Sequence, residues 1–257
     1  MTIRSIHLNV ADIARSVDFY TEFLGLIPVG EPTAEDAELD AVTATIKLHR
    51  VDARTSAWEP DDLQTGFRHV GFKVSELDPL VEKLRAAGTP FHLDPIDAEG
   101  GVRITFFYDP DGVLLELVEG PLQYHHVIDP EAVDRDWALG SPSRPRFDHV
   151  AETVADLAAT EAFYHPLGYV TMAGIHQPDD PRGFEILFLR AGDSSLEVFS
   201  FNGAETRRRM TDAADRGFLA VELERSASGD SAGGSRMSDG RPLVADPDGL
   251  FHVGAPE

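Results

Sequence analysis

Apolar and polar positions alternate from the start of the chain. The segment IRSIHLNV has the two-residue period of a strand. Asp12 follows, and then apolar residues recur at helical spacing up to Leu24 and Gly25. The whole pattern returns later. His7–Gly25 reads HLNVADIARSVDFYTEFLG, and Ala151–Gly168 reads AETVADLAATEAFYHPLG. Each copy predicts a strand, an aspartate N-cap (Asp12 or Asp156), an amphipathic helix ending in Phe-Tyr, and a C-terminal glycine. The pairs Phe19–Tyr20 and Phe163–Tyr164 sit at core spacing and read as packing.

A second repeat is the turn Asp-Pro-Asp-Gly. It occurs at Asp109–Gly112 and at Asp246–Gly249, each time leading into an alternating strand. Together these repeats divide the chain into four modules, at about 1–52, 66–120, 146–202 and 217–257. Their opening strands are IRSIHLNV, FRHVGFKV, FDHVAETV and GFLAVELE. In the fourth, the helix position reads SASGDSAGGSRMSDG, a flexible composition that predicts a lost or shortened helix. The expected organisation is a half over 1–122, a proline-bearing linker over 123–145 and a second half over 146–257.

Composition narrows the function. The chain has 257 residues, enough to bury a sizeable core, and a net charge of −23, which disfavours nucleic acid and anionic membrane surfaces as partners. With no apolar run long enough to span a bilayer and no leader-like N-terminus, a cytoplasmic protein is expected. There is no cysteine, so any metal must be held by His, Asp or Glu. Neither a phosphate-binding glycine loop nor a dinucleotide fingerprint is present.

The opening strand with its helix, followed by D-P-D-G-x-x-x-E, resembles the vicinal-oxygen-chelate superfamily of glyoxalases, bleomycin-resistance proteins and extradiol dioxygenases. The resemblance implies an α+β fold. Four βαβββ-type modules, the fourth degenerate, would pair into two cup-shaped, mostly antiparallel sheets. It also implies one divalent metal (Zn, Ni, Fe, Mn or Co) with ligands from first and last strands. The first-strand ligand stands seven residues before the helix-capping acid. That gives His69 before Glu76 and His149 before Asp156, but Ser5 in the first module and, by strand alignment, Phe218 in the fourth. The last-strand acid is Glu116 in the second module and Glu197 in the third. Lys47 and Val253 occupy that place in the other two.

The expected metal set is therefore His69, Glu116, His149 and Glu197, with His-to-Glu spacings of 47 and 48 residues. Modules 2 and 3 keep both ligands, whereas modules 1 and 4 have neither. Pairing of 2 with 3 and 1 with 4 would give one complete site, and sequential pairing would give two half-sites. An alternative set is His7, His69 and Glu116, because His7 shares a strand face with Ser5.

The resemblance implies a glyoxalase-like lyase or isomerase acting on a small oxygen-bearing molecule, with Glu116 or Glu197 moving the proton. Two other readings stand beside it. One is a non-heme Fe(II) dioxygenase, although GGVRITFFYDPDG lacks the expected histidine and Tyr108 directly precedes Asp109. The other is a non-catalytic protein that captures small molecules in an apolar pocket lined by Trp58, Trp137, Phe184 or Phe188. A four-module chain could complete its site as a monomer, and a homodimer is equally compatible.

Overall fold

The structure is a computed structural model and describes residues 2–53, 58–177, 179–209, 212–224 and 234–255. The first module is β1 (Ile3–Val10), α1 (Ile13–Leu24), β2 (Ile27–Pro28), β3 (Asp36–Asp40) and β4 (Thr45–Arg50). The second is β5 (Gln64–Val74), α2 (Leu77–Ala86), β6 (Phe91–Ala98), β7 (Val102–Tyr108) and β8 (Leu114–Glu119). A short strand β9 (His126–Val127) and a helix α3 (Pro130–Ala138) follow. The third module is β10 (Arg146–Thr153), α4 (Leu157–Tyr164), β11 (Val170–His176), β12 (Phe184–Ala191) and β13 (Ser194–Phe201). After β14 (Arg207–Arg208), the fourth module has β15 (Gly217–Leu223), β16 (Leu243–Ala245) and β17 (Phe251–Val253). Most of the stretch read as its lost helix lies outside the described residues.

The strands form two open, mostly antiparallel sheets. Modules 2 and 3 build the ten-stranded sheet, ordered β6-β7-β8-β5-β10-β13-β12-β11-β9, with β14 on the end of β5. Modules 1 and 4 build the seven-stranded sheet, ordered β16-β17-β15-β1-β4-β3-β2. Each sheet therefore takes one module from either side of residues 123–145. Those residues are themselves ordered. Asp129 caps α3 by accepting from the Ala132 amide, and Pro130 opens the helix, where its missing N–H costs nothing. Ala132 and Val133 then pack against Met172, Ile175 and Phe188 of the ten-stranded sheet.

Two clamps hold the sheets against each other. The first aspartate of each Asp-Pro-Asp-Gly turn closes its own turn. Asp109 accepts from the amides of Asp111 and Val113 at 2.8 Å each, and Asp246 accepts from Asp248, Gly249 and Leu250. Its other oxygen reaches across the molecule. Tyr20 of α1 donates to Asp109 at 2.9 Å, and Tyr164 of α4 donates to Asp246 at 3.0 Å. The second aspartates repeat the crossing, with Asp111 accepting from the Ala11 amide and Asp248 from the Ala155 amide. These tyrosines are thus more than packing, since a buried hydroxyl needs a partner and finds one on the opposite module. The core lies between the sheets and beneath the helices, and Phe67 of β5 stacks on Phe218 of β15 at 3.9 Å. No helix among the described residues is long and apolar enough to cross a membrane.

His252 belongs to the second clamp, with Nε2 2.9 Å from the Tyr164 hydroxyl. Burial pushes its pKa down to about 4, against the opposing charge of Asp246. The folded pKa therefore lies below the unfolded one, so this contribution to stability is present above about pH 6.5 and is lost as pH falls toward 4. Wild type should lose about 2 kcal/mol relative to His252→Leu between pH 7 and pH 5. Urea unfolding of both proteins across that range tests this, and parallel pH profiles would refute a buried neutral imidazole.

Candidate metal centre

The centre straddles the seam between β5 and β10. These strands run antiparallel with His69 opposite Ala151 and Gly71 opposite His149. Each imidazole thus leans over a position with little or no side chain. At Gly71 the fit is complete, because a Cβ there would fall 2.1–2.6 Å from ring atoms of His149. Glu116 enters from β8, parallel to β5, with its Cα opposite Gly71. Glu197 enters from β13, parallel to β10, with its Cα opposite Ala151. The pseudo-two-fold arrangement of the two modules appears directly in these registers.

Four donor atoms converge. His69 Nε2 lies 3.0 Å from His149 Nε2, 3.2 Å from Glu116 Oε2 and 3.3 Å from Glu197 Oε2. His149 Nε2 lies 3.0 Å from Glu116 Oε2 and 3.4 Å from Glu197 Oε2. All four residues are buried, and one ligand atom of each lies within 4.8 Å of the others. An ion with bonds of about 2.1 Å separates neighbouring ligand atoms by roughly 3.0–3.4 Å, so the donor set could hold a divalent ion with little rearrangement.

The electrostatics ask for positive charge. Burial would raise the Glu116 carboxyl, but the charge of His69 and hydrogen bonds from both imidazoles hold it at about 2. Burial works against a charged His149. Even so, Glu197, the Asp148 hydrogen bond and Glu116 drive its pKa well above the ordinary value. Asp148 bonds Nδ1 of His149 at 3.1 Å and fixes the ring from behind. Edges of Phe106 and Phe199 contact His69, with ring centroids at 5.0 and 6.1 Å.

The four donors line a cavity of about 550 Å³. Trp137, Phe184 and Phe188 line it as the sequence suggests, while Trp58 lines a smaller neighbouring pocket of about 180 Å³. Arg68, Lys73, Arg146 and Arg182 also reach the main cavity and carry no motif that sequence reading could use.

The alternative set is not assembled. His7 lies on β1 in the seven-stranded sheet, with Nε2 3.0 Å from Glu222 Oε2 and Nδ1 2.8 Å from His49 Nε2. The reason is topological, since β1 pairs with β15 and β5 pairs with β10. Lys47 does match Glu116, being opposite His7 as Glu116 is opposite Gly71. Phe218 does not match His149. The residue opposite His7 is Ala220, as His149 is opposite Gly71, and the bulge between His7 and Leu8 has its counterpart between Phe147 and His149. The Glu76 cap also differs, for its side chain caps nothing and Glu119 accepts from the Leu77 amide instead.

Residues 2–117 match the family model described as Glyoxalase/Bleomycin resistance protein/Dioxygenase superfamily. An uncharacterized Bacillus subtilis protein, YwkD, is 32% identical over 130 residues, which cover 46% of this chain and 99% of that protein. A lactoylglutathione lyase of Shigella flexneri is 32% identical over 127 residues, covering 46% of this chain and 93% of the lyase. Among solved structures, glyoxalase I from Zea mays aligns over 98% of this chain and 91% of its own with a TM-score of 0.65 at 19% identity, a likeness of fold. With these matches and four modules in two sheets, the chain belongs to the glyoxalase/bleomycin resistance protein/dioxygenase superfamily.

Proposed function

We propose that this protein is a metal-dependent, glyoxalase-like lyase or isomerase, with His69, Glu116, His149 and Glu197 as the ligands of one divalent ion. The observation that carries this reading is the convergence of four buried donors across the β5–β10 seam. Similarity to lactoylglutathione lyases supports the reaction class. A divalent ion held there would polarise a substrate oxygen as a Lewis acid.

The chain's own residues would do the rest. His69 and His149 are fixed by their packing and hold their geometry through the reaction. Glu116 Oε2 or Glu197 Oε2 takes a proton from a carbon next to a carbonyl and returns it to the neighbouring carbon, a transfer worth roughly 10²- to 10⁴-fold. The aromatic wall of the cavity excludes water from that transfer. At about 550 Å³ the cavity suits a small organic substrate. The presence of two carboxylates beside two imidazoles favours this reading over a dioxygenase with a two-histidine, one-carboxylate set. Capture of small molecules without chemistry needs no metal, which makes metal content the dividing measurement.

Untagged protein analysed by mass spectrometry for metals should carry about one equivalent of a divalent ion. Both His69→Ala and His149→Ala should lose it. A folded wild type that cannot be loaded would overturn the proposal. Glu116→Gln and Glu197→Gln should be assayed with lactoylglutathione, a 2-hydroxyacyl thioester, and with α-oxo compounds. At least one should keep the ion while losing about 100-fold or more in turnover, and full activity in both would remove the proton-transfer role. Gly71→Ala should weaken ion affinity roughly 10- to 100-fold without unfolding the protein, because the new Cβ displaces His149. Unchanged affinity would mean that the ring has room to spare.

A further inference from the structure

Three consecutive arginines, Arg207, Arg208 and Arg209, stand in a chain with only 22 basic residues. The first is exposed and bonds the Asp61 carboxylate. Arg209 differs, for it is only 6% exposed. Its Nη1 donates to the Glu59 carbonyl at 2.9 Å, its guanidinium lies 5.2 Å from the Trp58 ring, and its Nε has no hydrogen-bond partner. No carboxylate forms an ion pair with it among the described residues. Burial lowers its pKa, but only to about 10, so it remains a cation at neutral pH.

A buried, permanently charged group without a counter-ion is costly unless something supplies the missing charge. Of the other cavity arginines, Arg146 is also buried and bonds only the Leu139 carbonyl, whereas two have carboxylate partners. Arg68 pairs with Asp62, and Arg182 pairs with Asp62 and Asp180. Arg209 lines the smaller pocket with Trp58, Asp61, His92, Leu93 and Leu114, and the Asp61 carboxylate bonds Arg207 rather than Arg209. That pocket shares Asp62, Arg68, His69 and Phe106 with the main cavity, so the two spaces meet at a metal-site histidine.

We propose that this smaller pocket is an anion subsite, in which Arg209 binds a carboxylate carried by the substrate and Trp58 packs against the adjoining planar or apolar part. A carboxylate fits better than a phosphate, because the pocket's own carboxylates, Asp61 and Asp62, are already paired with Arg207, Arg68 and Arg182, which leaves the single charge of Arg209 to be matched. Arginine also presents two parallel donors to the two carboxylate oxygens. This inference rests on the catalytic reading above for the word substrate, but the binding itself does not require an ion in the main cavity.

The test uses Trp58 as its reporter. The chain has two tryptophans, and the other, Trp137, is half-exposed on α3, so a Trp137→Phe background leaves one signal beside Arg209. Benzoate should change Trp58 fluorescence saturably. Benzamide, of nearly the same shape but uncharged, should bind about tenfold more weakly or worse, the usual worth of a hydrogen bond to a charged group. Arg209→Gln should abolish the preference. Equal binding of the two probes, a preference retained in Arg209→Gln, or no binding of either would overturn the subsite. Should Arg209→Gln unfold by circular dichroism, Arg209→Lys keeps the charge without the paired donors. It should bind benzoate several-fold more weakly than wild type, and undiminished binding would overturn the paired-donor role. Metal content measured on the same samples separates the two proposals, since a protein that takes no ion but prefers benzoate refutes only the metal centre.

Discussion

The structure depends on the antiparallel seam between β5 and β10. Its register sets Gly71 opposite His149 and Ala151 opposite His69, so two imidazoles face each other over a floor that offers them space. A one-residue slip of either strand would turn its histidine to the other face of the sheet and leave the centre with half its nitrogen donors. The glutamates depend on the same seam. Glu116 and Glu197 arrive on strands parallel to β5 and β10, so their positions follow once the two central strands are in register.

The seam's own backbone ladder is supplemented by contacts that join its modules to the opposite sheet. Tyr20 and Tyr164 each cross from a helix of one module to an aspartate turn of the next, and the second aspartates repeat the crossing to the helix starts. A strand cannot slide without breaking contacts on the opposite sheet. That makes the four modules one cooperative body. It also explains why the module pairs joined by clamps, 1 with 2 and 3 with 4, differ from the pairs that share a sheet.

Much of this was legible in the sequence. Module repeats, caps and turns are local signals, and the nearly equal His-to-Glu spacings place four donors in equivalent positions of two modules. What was not legible depends on distant contacts or on irregular register. The weak strand pattern GFLAVELE hides that Ala220, not Phe218, stands opposite His7. Pro130 reads as a linker proline until Asp129 before it is recognised as a cap and the helix behind it finds the edge of the ten-stranded sheet. Asp111 and Asp248 read as turn residues, and nothing nearby reveals that their carboxylates hold helix starts some 90 to 100 residues away in sequence. Arg209 is similar, because Trp58 lies over it from a connecting segment some 150 residues earlier in the chain.

The seven-stranded sheet gives the chemistry of the centre an internal control. At its seam, Glu222 stands opposite Ser5 and beside His7, close to where the other sheet gathers its donors. There the protein supplies its own cations, with Lys47 at 3.2 Å and Arg241 at 2.8 Å from the Glu222 oxygens. The His7 hydrogen bond first, and then Arg241 and Lys47, hold that carboxyl well below the usual range against its burial. In the ten-stranded sheet, Glu116 and Glu197 have no lysine or arginine partner among the described residues, only the two histidines. Two buried carboxylates cannot rest on neutral imidazoles alone, since each uncompensated charge carries a desolvation cost of several kcal/mol. A proton on His149 meets part of that demand, and a divalent ion would meet all of it. The same chain thus meets one electrostatic problem in two ways, closing one seam with its own lysine and arginine and giving the other only its two histidines.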